Sequence, residues 1–402
     1  MKRALHPLIL MAGLVGAWVL ATQAVAQAQT KFDVYGFVMT DVGYNDIGVD
    51  PEWFDVQRPT KLPSFEDEFG DKGSTFFSVR QTRFGVKSST PTSAGDLNTQ
   101  FEWELFGTGV DAGQTTLRLR HAYGELGHFG AGQTWSPFMD IDVFPNTIEY
   151  WGPNGMVFFR NVQLRWMPVQ GESRMTIALE RPGASGDQGD YADKIDFSGI
   201  KPRFPLPDLS AEFRNAFSRG YIELSGILRK IEWEDQSGGP TDLSGSVTGW
   251  GLHVSSNLKF RDTDVLKVAV VHGEGIQNYM NDAPEDVGTE PNPGDPLKPI
   301  KGVALPMTGL TAFLDHSWNE QFTSSVGYSM LEIDNSEGQS PDAFKKGTYM
   351  LFNLLYMPIK DVMMGVEGGW IHRENNSDEF DVDQYHVQVS AKYNFALTLG
   401  GQ

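Results

Sequence analysis

Residues 385–395 read YHVQVSAKYNF, and apolar and polar residues alternate through the whole stretch. Successive side chains of a β-strand point to opposite faces, so this period of two predicts a strand with one apolar and one polar face. The apolar face holds Tyr385, Val387, Val389, Ala391, Tyr393 and Phe395, and the polar face holds His386, Gln388, Ser390, Lys392 and Asn394.

The same alternation recurs about sixteen times between Lys31 and Phe395, without a recognisable domain boundary. Short turns alternate strictly with long loops, which lie at 45–73, 107–114, 136–156, 181–200, 235–243, 277–301, 335–344 and 374–380. Outer-membrane barrels have this rhythm, with short periplasmic turns and long external loops. We therefore predict an all-β fold, a transmembrane antiparallel β-barrel of about sixteen strands. A soluble β-sandwich is the alternative, although sandwiches seldom hold so many strands in one meander.

The first residues have the three parts of a secretory signal peptide. Met1–Arg3 is basic, an apolar core follows, and small-residue cleavage sites end at Ala26 and Ala28. We predict a signal peptide over residues 1–28 and a single barrel domain over residues 29–402, with a retained anchor helix as the alternative. No later apolar run of about 20 residues is available for a membrane-spanning helix. The chain has no cysteine, so disulfides cannot hold it together.

Motifs that mark common catalytic and cofactor sites are missing from the sequence. It contains no GxSxG, P-loop or HExxH motif, and its eight histidines lack paired metal-ligand spacing. Asp315, His316 and Ser317 bring hydrolase residue types together, but adjacent residues of a strand point to opposite faces. We therefore predict no catalytic residue, cofactor, metal ion or nucleic-acid partner.

Several strands carry basic residues, although the formal net charge of the chain is −20. In TLRLRHAYG, residues 116–124, the alternation predicts an outer face of Leu117, Leu119, His121 and Tyr123 and an inner face of Arg118 and Arg120. The same parity places on the inner face Arg83, Lys87, Arg165, Arg174 and Arg214. Because an arginine facing lipid would cost about 2–4 kcal/mol at mid-membrane, we predict a basic wall inside the lumen. The alternative is a structural network with Glu102, Glu104, Glu180 and Glu212.

The long loop at 136–156 is rich in apolar and aromatic residues, whereas external loops are normally polar. An apolar loop must pack somewhere, so we expect this third external loop to fold inward and narrow the lumen. Its constriction residues are expected to be Asp140, Asp142, Glu149, Tyr150 and Trp151, and the three acids would form an edge facing the basic wall. The alternative is a loop that contacts a neighbouring subunit.

Four stretches resemble the DcaP-like family of outer-membrane porins, and the resemblance covers about residues 78–215. They are QTRFGVKSSTPTSAGDL at 81–97, ELFGTGVDAGQTTLRLRHAYGELG at 104–127, AGQTWSPFMDIDVFPNTIEYWGPNGMVFFRNVQLRW at 131–166 and LERPGAS at 179–185. The resemblance implies a trimeric barrel of the bacterial outer membrane whose constricted, basic pore takes up dicarboxylate-type anions. By position it also implies a pore lining that includes Arg83, Arg118, Arg120 and Arg165.

Two features depart from the pattern of that family. Some members have a coiled-coil extension before the barrel, whereas here strand-like sequence begins almost at the cleavage site. Barrels of this type also usually end on an aromatic residue, whereas here Phe395 is followed by ALTLGGQ. We expect the last strand to end at Phe395 and the tail to be an extension.

The function expected from these observations is passive uptake of small anionic solutes, with dicarboxylates as the leading class. The expected partners are outer-membrane lipid, lipopolysaccharide and two further copies of the chain. Three alternatives stay open: a general diffusion porin without a binding site, an outer-membrane barrel enzyme, and an adhesin or structural barrel. The sequence does not identify the preferred anion, because separate strands set the spacing of charges across the lumen.

Overall fold

A computed structural model describes residues 30–400. The predicted signal peptide, residues 1–28, lies outside the described residues. The strands are β1 (Lys31–Asn45), β2 (Ser74–Ser78), β3 (Arg83–Thr92), β4 (Gly95–Phe106), β5 (Thr115–Leu126), β6 (Phe129–Trp135), β7 (Arg160–Val169), β8 (Arg174–Glu180), β9 (Ile200–Arg203), β10 (Asp208–Phe217), β11 (Gly220–Asp235), β12 (Gly245–Arg261), β13 (Asp264–Glu274), β14 (Val287–Pro291), β15 (Ile300–Ala304), β16 (Pro306–Ser317), β17 (Phe322–Ile333), β18 (Phe344–Ile359), β19 (Val362–Asn375) and β20 (Asp381–Leu399).

The strands form a closed antiparallel barrel of sixteen strands, as the alternation predicts. β2 and β3 both pair with β1 and count as one interrupted strand, and β9 and β10 both pair with β11 in the same way. The first and last strands close the barrel, because β1 pairs with β20 from Phe32 opposite Leu399 to Asn45 opposite His386.

The alternation that predicts the last strand is confirmed residue by residue. Val387 and Val389 are exposed on the outer face, whereas His386, Gln388 and Ser390 are buried inside. The predicted end of this strand at Phe395 is wrong, because β20 continues to Leu399. The period of two simply continues through ALTL, so Leu397 and Leu399 extend the outer apolar face and still pair with β1.

Long connections lie at one end of the barrel, and short turns and the two ends of the described chain lie at the other. One long loop, between β13 and β16, carries the separate hairpin β14–β15. Five single-turn 3-10 helices occur in the long loops, at Pro59–Lys61, Gly109–Asp111, Ile141–Val143, Gly189–Tyr191 and Gln277–Tyr279. No helix between residues 30 and 400 is long and apolar enough to cross a membrane.

A register shift in β5 corrects the predicted faces of two residues. His121 pairs with Glu102 and Leu119 with Trp103, so Arg120 is an extra residue in the strand. Such a bulge turns two consecutive side chains to one face. Arg120 and His121 are consequently both buried inside, where His121 Nδ1 lies 3.0 Å from the Thr134 hydroxyl.

Tyr123 also faces inward, because the bulge shifts the parity of the residues after it. Its hydroxyl donates a hydrogen bond to Glu125, and its ring lies 5.2 Å from the guanidinium of Arg165. The predicted outer positions of His121 and Tyr123 are therefore wrong, while those of Leu117 and Leu119 are confirmed by their exposure.

The third external loop folds into the barrel, as its apolar composition predicts. We call residues 136–159, between β6 and β7, the inward loop. Its side chains Phe138, Met139, Val143, Met156 and Val157 are buried in one apolar cluster with side chains of β11, β13, β16 and β17. Burial of this surface explains why a loop on the external side is so rich in apolar residues.

Candidate functional site

Arginines and glutamates meet on the inner face of β3, β4, β5 and β7. We call this group the basic cluster: it consists of Arg83, Arg118, Arg120 and Arg160 around Glu102 and Glu104. Arg120 donates to Glu102 through Nε and to Glu104 through Nη1, each at 2.7 Å. The side chain of Glu104 is fully buried. Four guanidinium groups thus share two carboxylates, and the cluster keeps an excess of positive charge.

The two neighbouring arginines of β5 differ in how firmly they are held. Arg120 is 5% exposed and is fixed by its two short bonds. Arg118 is 28% exposed, and its closest carboxylate atom, Oε1 of Glu104, lies 3.8 Å away. Since a hydrogen bond to an ion requires a closer approach, no carboxylate between residues 30 and 400 accepts a hydrogen bond from the Arg118 guanidinium.

A cavity of about 380 Å³ lies against the basic cluster. Four basic residues line one side of it, Arg83, Arg118, Arg120 and Lys392. The inward loop lines the other side with Ile141, Phe144, Thr147, Glu149, Tyr150, Trp151, Phe158 and Phe159. Lys392 lies 4.2 Å from the ring centroid of Phe37 and forms no ion pair with another residue between 30 and 400. The cavity therefore combines a cationic side with a largely aromatic one.

A second group of charges fixes the start of the inward loop. We call it the anchor cluster: Arg174 and Arg214 with Asp140, Asp142, Glu212 and Glu223. Arg214 donates to Asp140, Asp142 and Glu223, each at 2.6 Å. Four carboxylates here share two guanidinium groups, so these predicted wall arginines lie among an excess of acid.

The far end of the inward loop is held by buried carboxylates. Glu149 accepts hydrogen bonds from the backbone N–H groups of Gln57, Trp151 and Gly152. Glu367, on β19, accepts bonds from the backbone N–H of Ile148 and of Glu149. Such acceptor sites satisfy loop N–H groups that would otherwise be buried without a partner.

The acids of the inward loop do not form the open edge that the sequence led us to expect. Asp140 and Glu149 are buried, and their oxygens hold the loop in place. Only Asp142 is substantially exposed, at 46% of its side chain, and it pairs with Arg214. Sequence identifies these residues as part of the constriction loop but not the direction of their carboxylates.

Tyr150 joins the inward loop to the basic cluster. Its hydroxyl donates to Glu104, and its ring stacks on Phe106 with the centroids 4.0 Å apart. The Arg58 guanidinium lies 4.1 Å from the ring centroids of both Trp53 and Trp151, and these two rings meet edge to face with their centroids 4.9 Å apart. The loop is thus packed against both the barrel wall and the first external loop.

The sequence profile of the DcaP outer membrane protein family matches residues 20–395. The chain belongs to the DcaP family of outer-membrane proteins. Its place is the bacterial outer membrane, and its family is one of outer-membrane channels. None of the curated proteins matches the sequence.

Solved structures share the fold of this DcaP-family chain at low sequence identity. The outer membrane channel DcaP of Acinetobacter baumannii has a TM-score of 0.74 and 20% identity, covering 94% of this chain and 100% of that one. The anion-selective porin of Comamonas acidovorans has a TM-score of 0.57 and 11% identity over 91% and 100%. A trimer form of OmpT from Vibrio cholerae has a TM-score of 0.54 and 12% identity over 91% and 99%.

Besides Arg174 and Arg214 of the anchor cluster, two residues predicted to line the pore of this DcaP-family barrel lie apart from the cavity. Arg165 donates to the side chain of Gln163 and to the carbonyl of Trp135, whereas Lys87 lies 5.2 Å from the ring of Tyr35. Neither residue is among those that line the cavity.

Two basic residues near the site were missed. Lys392 belongs to the polar face of the alternating stretch at 385–395, and this parity was sufficient to place it inside. Arg160 begins β7 directly after the inward loop, where no alternation precedes it. No group of histidine and acidic residues between 30 and 400 is arranged to hold a metal ion.

Proposed function

We propose that the protein is a passive, anion-preferring channel for small carboxylates, with dicarboxylates as the favoured class. The observation that supports it is the basic cluster beside the cavity, where guanidinium groups outnumber carboxylates. Charges interact more strongly in a confined, poorly hydrated space than in bulk water. An uncompensated positive charge there favours anions and opposes cations.

Within this proposal the residues of the predicted wall divide by role. Arg118 and Lys392 contact the solute, because neither is held by a carboxylate at hydrogen-bond distance among the described residues. Arg83 and Arg120 add positive charge from the same side of the cavity. Two cations on different strands can take the two ends of a dicarboxylate, and arginine can bind a carboxylate with two parallel hydrogen bonds.

The aromatic side of the cavity keeps the solute close to the cations. Tyr150 and Trp151 narrow the space from the inward loop. The solute can leave the cavity only if no single contact holds it too strongly. One loosely held arginine meets this condition better than several fixed cations around the solute would. Movement follows the concentration gradient of the solute, and the proposal includes no cofactor and no chemical reaction.

The proposal extends to assembly and surroundings. We infer a homotrimer that is surrounded by outer-membrane lipid and lipopolysaccharide and exported by a cleaved signal peptide at residues 1–28. The trimer form of the OmpT structure, which has the same fold, supports this assembly. Cross-linking of the purified protein tests it, since a trimer gives a ladder that ends at three chains.

The central test is conductance of the purified protein in a planar bilayer. A salt gradient should give an anion-favouring reversal potential, and added dicarboxylates should reduce the current as they occupy the cavity. The double variant Arg118→Gln, Lys392→Gln should lose both effects, whereas Lys87→Gln, outside the cavity, should keep them. Cation preference, or a double variant like the native protein, would contradict the proposal.

Solute flux into liposomes that contain the protein, together with the conductance, separates the proposal from its alternatives. Equal flux of sugars and of dicarboxylates of similar size would indicate a general diffusion porin. A folded barrel that conducts no ions would indicate a structural or adhesive role.

A further inference from the structure

The lipid-facing surface of the barrel ends in a defined apolar row on one side. The row consists of Leu179, Leu209, Leu228 and Trp250, which are paired neighbours on β8, β10, β11 and β12. The three leucines are exposed on the outer face. The next outward positions toward the external end include Arg181, Lys230 and Thr248. The outer surface thus changes from apolar to basic over two residues along the strand.

Further cations continue this surface toward the outside. We call the group Arg181, Lys201, Arg203 and Lys230 the basic rim. β9 brings Lys201 opposite Glu234 and Arg203 opposite Glu232. Arg203 pairs with Glu232, but its side chain stays 61% exposed. Along the outward positions of these strands, four cations accompany two carboxylates, Glu232 and Glu234.

A groove runs along the basic rim. Its volume is about 450 Å³, and its polar lining consists of Arg203, Lys230, Glu232, Glu234, Ser244 and Ser246. Lys230 donates to the Ser246 hydroxyl at 2.6 Å, which fixes the ammonium at the edge of the groove. Ammonium, guanidinium and hydroxyl groups are together the donors that proteins use for phosphate.

The opposite side of the same barrel has a rim of the other sign. On β17, β18, β19 and β20 the outward row pairs Glu332 with Lys346, Lys346 with Glu374, and Glu374 with Asp381. Asp383 adds a further carboxylate beside His372. This acidic rim shows that the basic rim is a local feature, since the chain as a whole is acidic.

We propose that the basic rim binds the phosphate groups of a phosphorylated glycolipid in the outer leaflet, with its acyl chains on the apolar row below. The phosphates of such a lipid lie directly beyond the hydrocarbon layer, at the height where the row of leucines gives way to cations. Basic residues at an anionic membrane surface attract such headgroups. This sharpens the proposed contact with lipopolysaccharide to one face of the barrel and is independent of anion transport.

The test is binding of diphosphorylated lipid A to the purified protein in detergent, measured by native mass spectrometry. Each basic residue near such a surface contributes about fivefold in affinity, so Arg203→Gln with Lys230→Gln should weaken binding about thirtyfold. Lipid A from which the phosphates have been removed should bind the native protein and the variant equally weakly.

Lys346→Gln is the matched control for Lys230→Gln. Both lysines face outward at the external end, and each contacts one polar neighbour, Ser246 for Lys230 and Glu374 for Lys346. The control should keep native affinity, whereas Lys230→Gln should lose about fivefold. Equal losses at the two positions, native affinity in the double variant, or tight binding of the dephosphorylated lipid would each overturn the proposal.

Two measurements keep this test separate from that of the channel. Heat-dependent gel migration reports whether each variant is a folded barrel, which exposed positions should not change. Bilayer conductance of the same variants should stay anion-preferring, because the basic rim lies on the outside. A variant that loses lipid binding but keeps its anion-preferring conductance supports the lipid site. A native protein without anion preference would contradict the channel proposal and leave the lipid site unaffected.

Discussion

The basic cluster and the anchor cluster are built from the same residue types on neighbouring parts of the lumen wall. Around Glu102 and Glu104, arginines outnumber carboxylates by four to two, and around Arg174 and Arg214 the ratio is reversed. In the first group an arginine is left with free donors beside a cavity. In the second each arginine is shared among acids and holds a loop.

The difference shows that the charge ratio around an arginine decides its role more than its position on the inner face. Arg118 and Arg174 are nearly equally exposed, at 28% and 29% of their side chains. Arg174 nevertheless lies 3.2 Å from Glu212 and 3.0 Å from Glu223, whereas the nearest carboxylate oxygen to Arg118 in the described part of the chain is 3.8 Å away. The following predictions test this distinction.

The largest effect is expected from Arg214→Gln in the anchor cluster. The change removes three charged contacts and leaves the buried Asp140 without a cation, while Glu223 keeps Arg174. Removal of one partner of a buried ion pair costs about 3–5 kcal/mol. Urea unfolding in detergent should show this loss, and single-channel current should become larger and noisier as the inward loop is released. A variant with native unfolding free energy and native current would show that the inward loop is held by its apolar contacts alone.

A smaller and unequal effect is expected from changing one glutamate in each cluster. Glu104→Gln leaves four arginines with Glu102 and should cost about 3 kcal/mol of unfolding free energy. Glu212→Gln should cost about 1 kcal/mol, because Arg174 keeps Glu223. The unfolding free energies of both variants are measured by the same urea assay. Equal losses would mean that the charge ratio does not matter for stability.

Alternation predicts the barrel well because one physical rule, a period of two, governs every strand. It fails where the ladder is irregular: the bulge at Arg120 turns His121 inward, and nothing in TLRLRHAYG marks it. The inward loop can be predicted from its apolar residues, but the partners of Asp140 and Glu149 cannot. Arg214 is 74 positions from Asp140 in the chain, and only closure of the barrel brings them together.

For selectivity, Arg118→Gln and Arg174→Gln form a matched pair with similar exposure. A hydrogen bond to a charged group is worth about 1.5–3 kcal/mol, so Arg118→Gln should weaken dicarboxylate block of the current at least about tenfold. Arg174→Gln should change block much less, because that guanidinium is already bound to Glu212 and Glu223. Block that falls equally in both variants would remove the distinction between the clusters.

The smallest effect is expected from salt, and it acts on one cluster only. Mobile ions screen exposed charges over about 10 Å at 0.1 M and about 3 Å at 1 M ionic strength, but they screen buried pairs far less. The cations of the cavity are reached by ions, so anion preference should decline steadily between these concentrations. The contacts of Arg214 with Asp140 and Glu223 are buried, so the unfolding free energy should change little over the same range. Selectivity and stability would then respond differently to one variable, because the free and the shared arginines belong to different clusters of the same lumen. A parallel decline of both quantities would instead mean that solvent ions reach the anchor cluster as well.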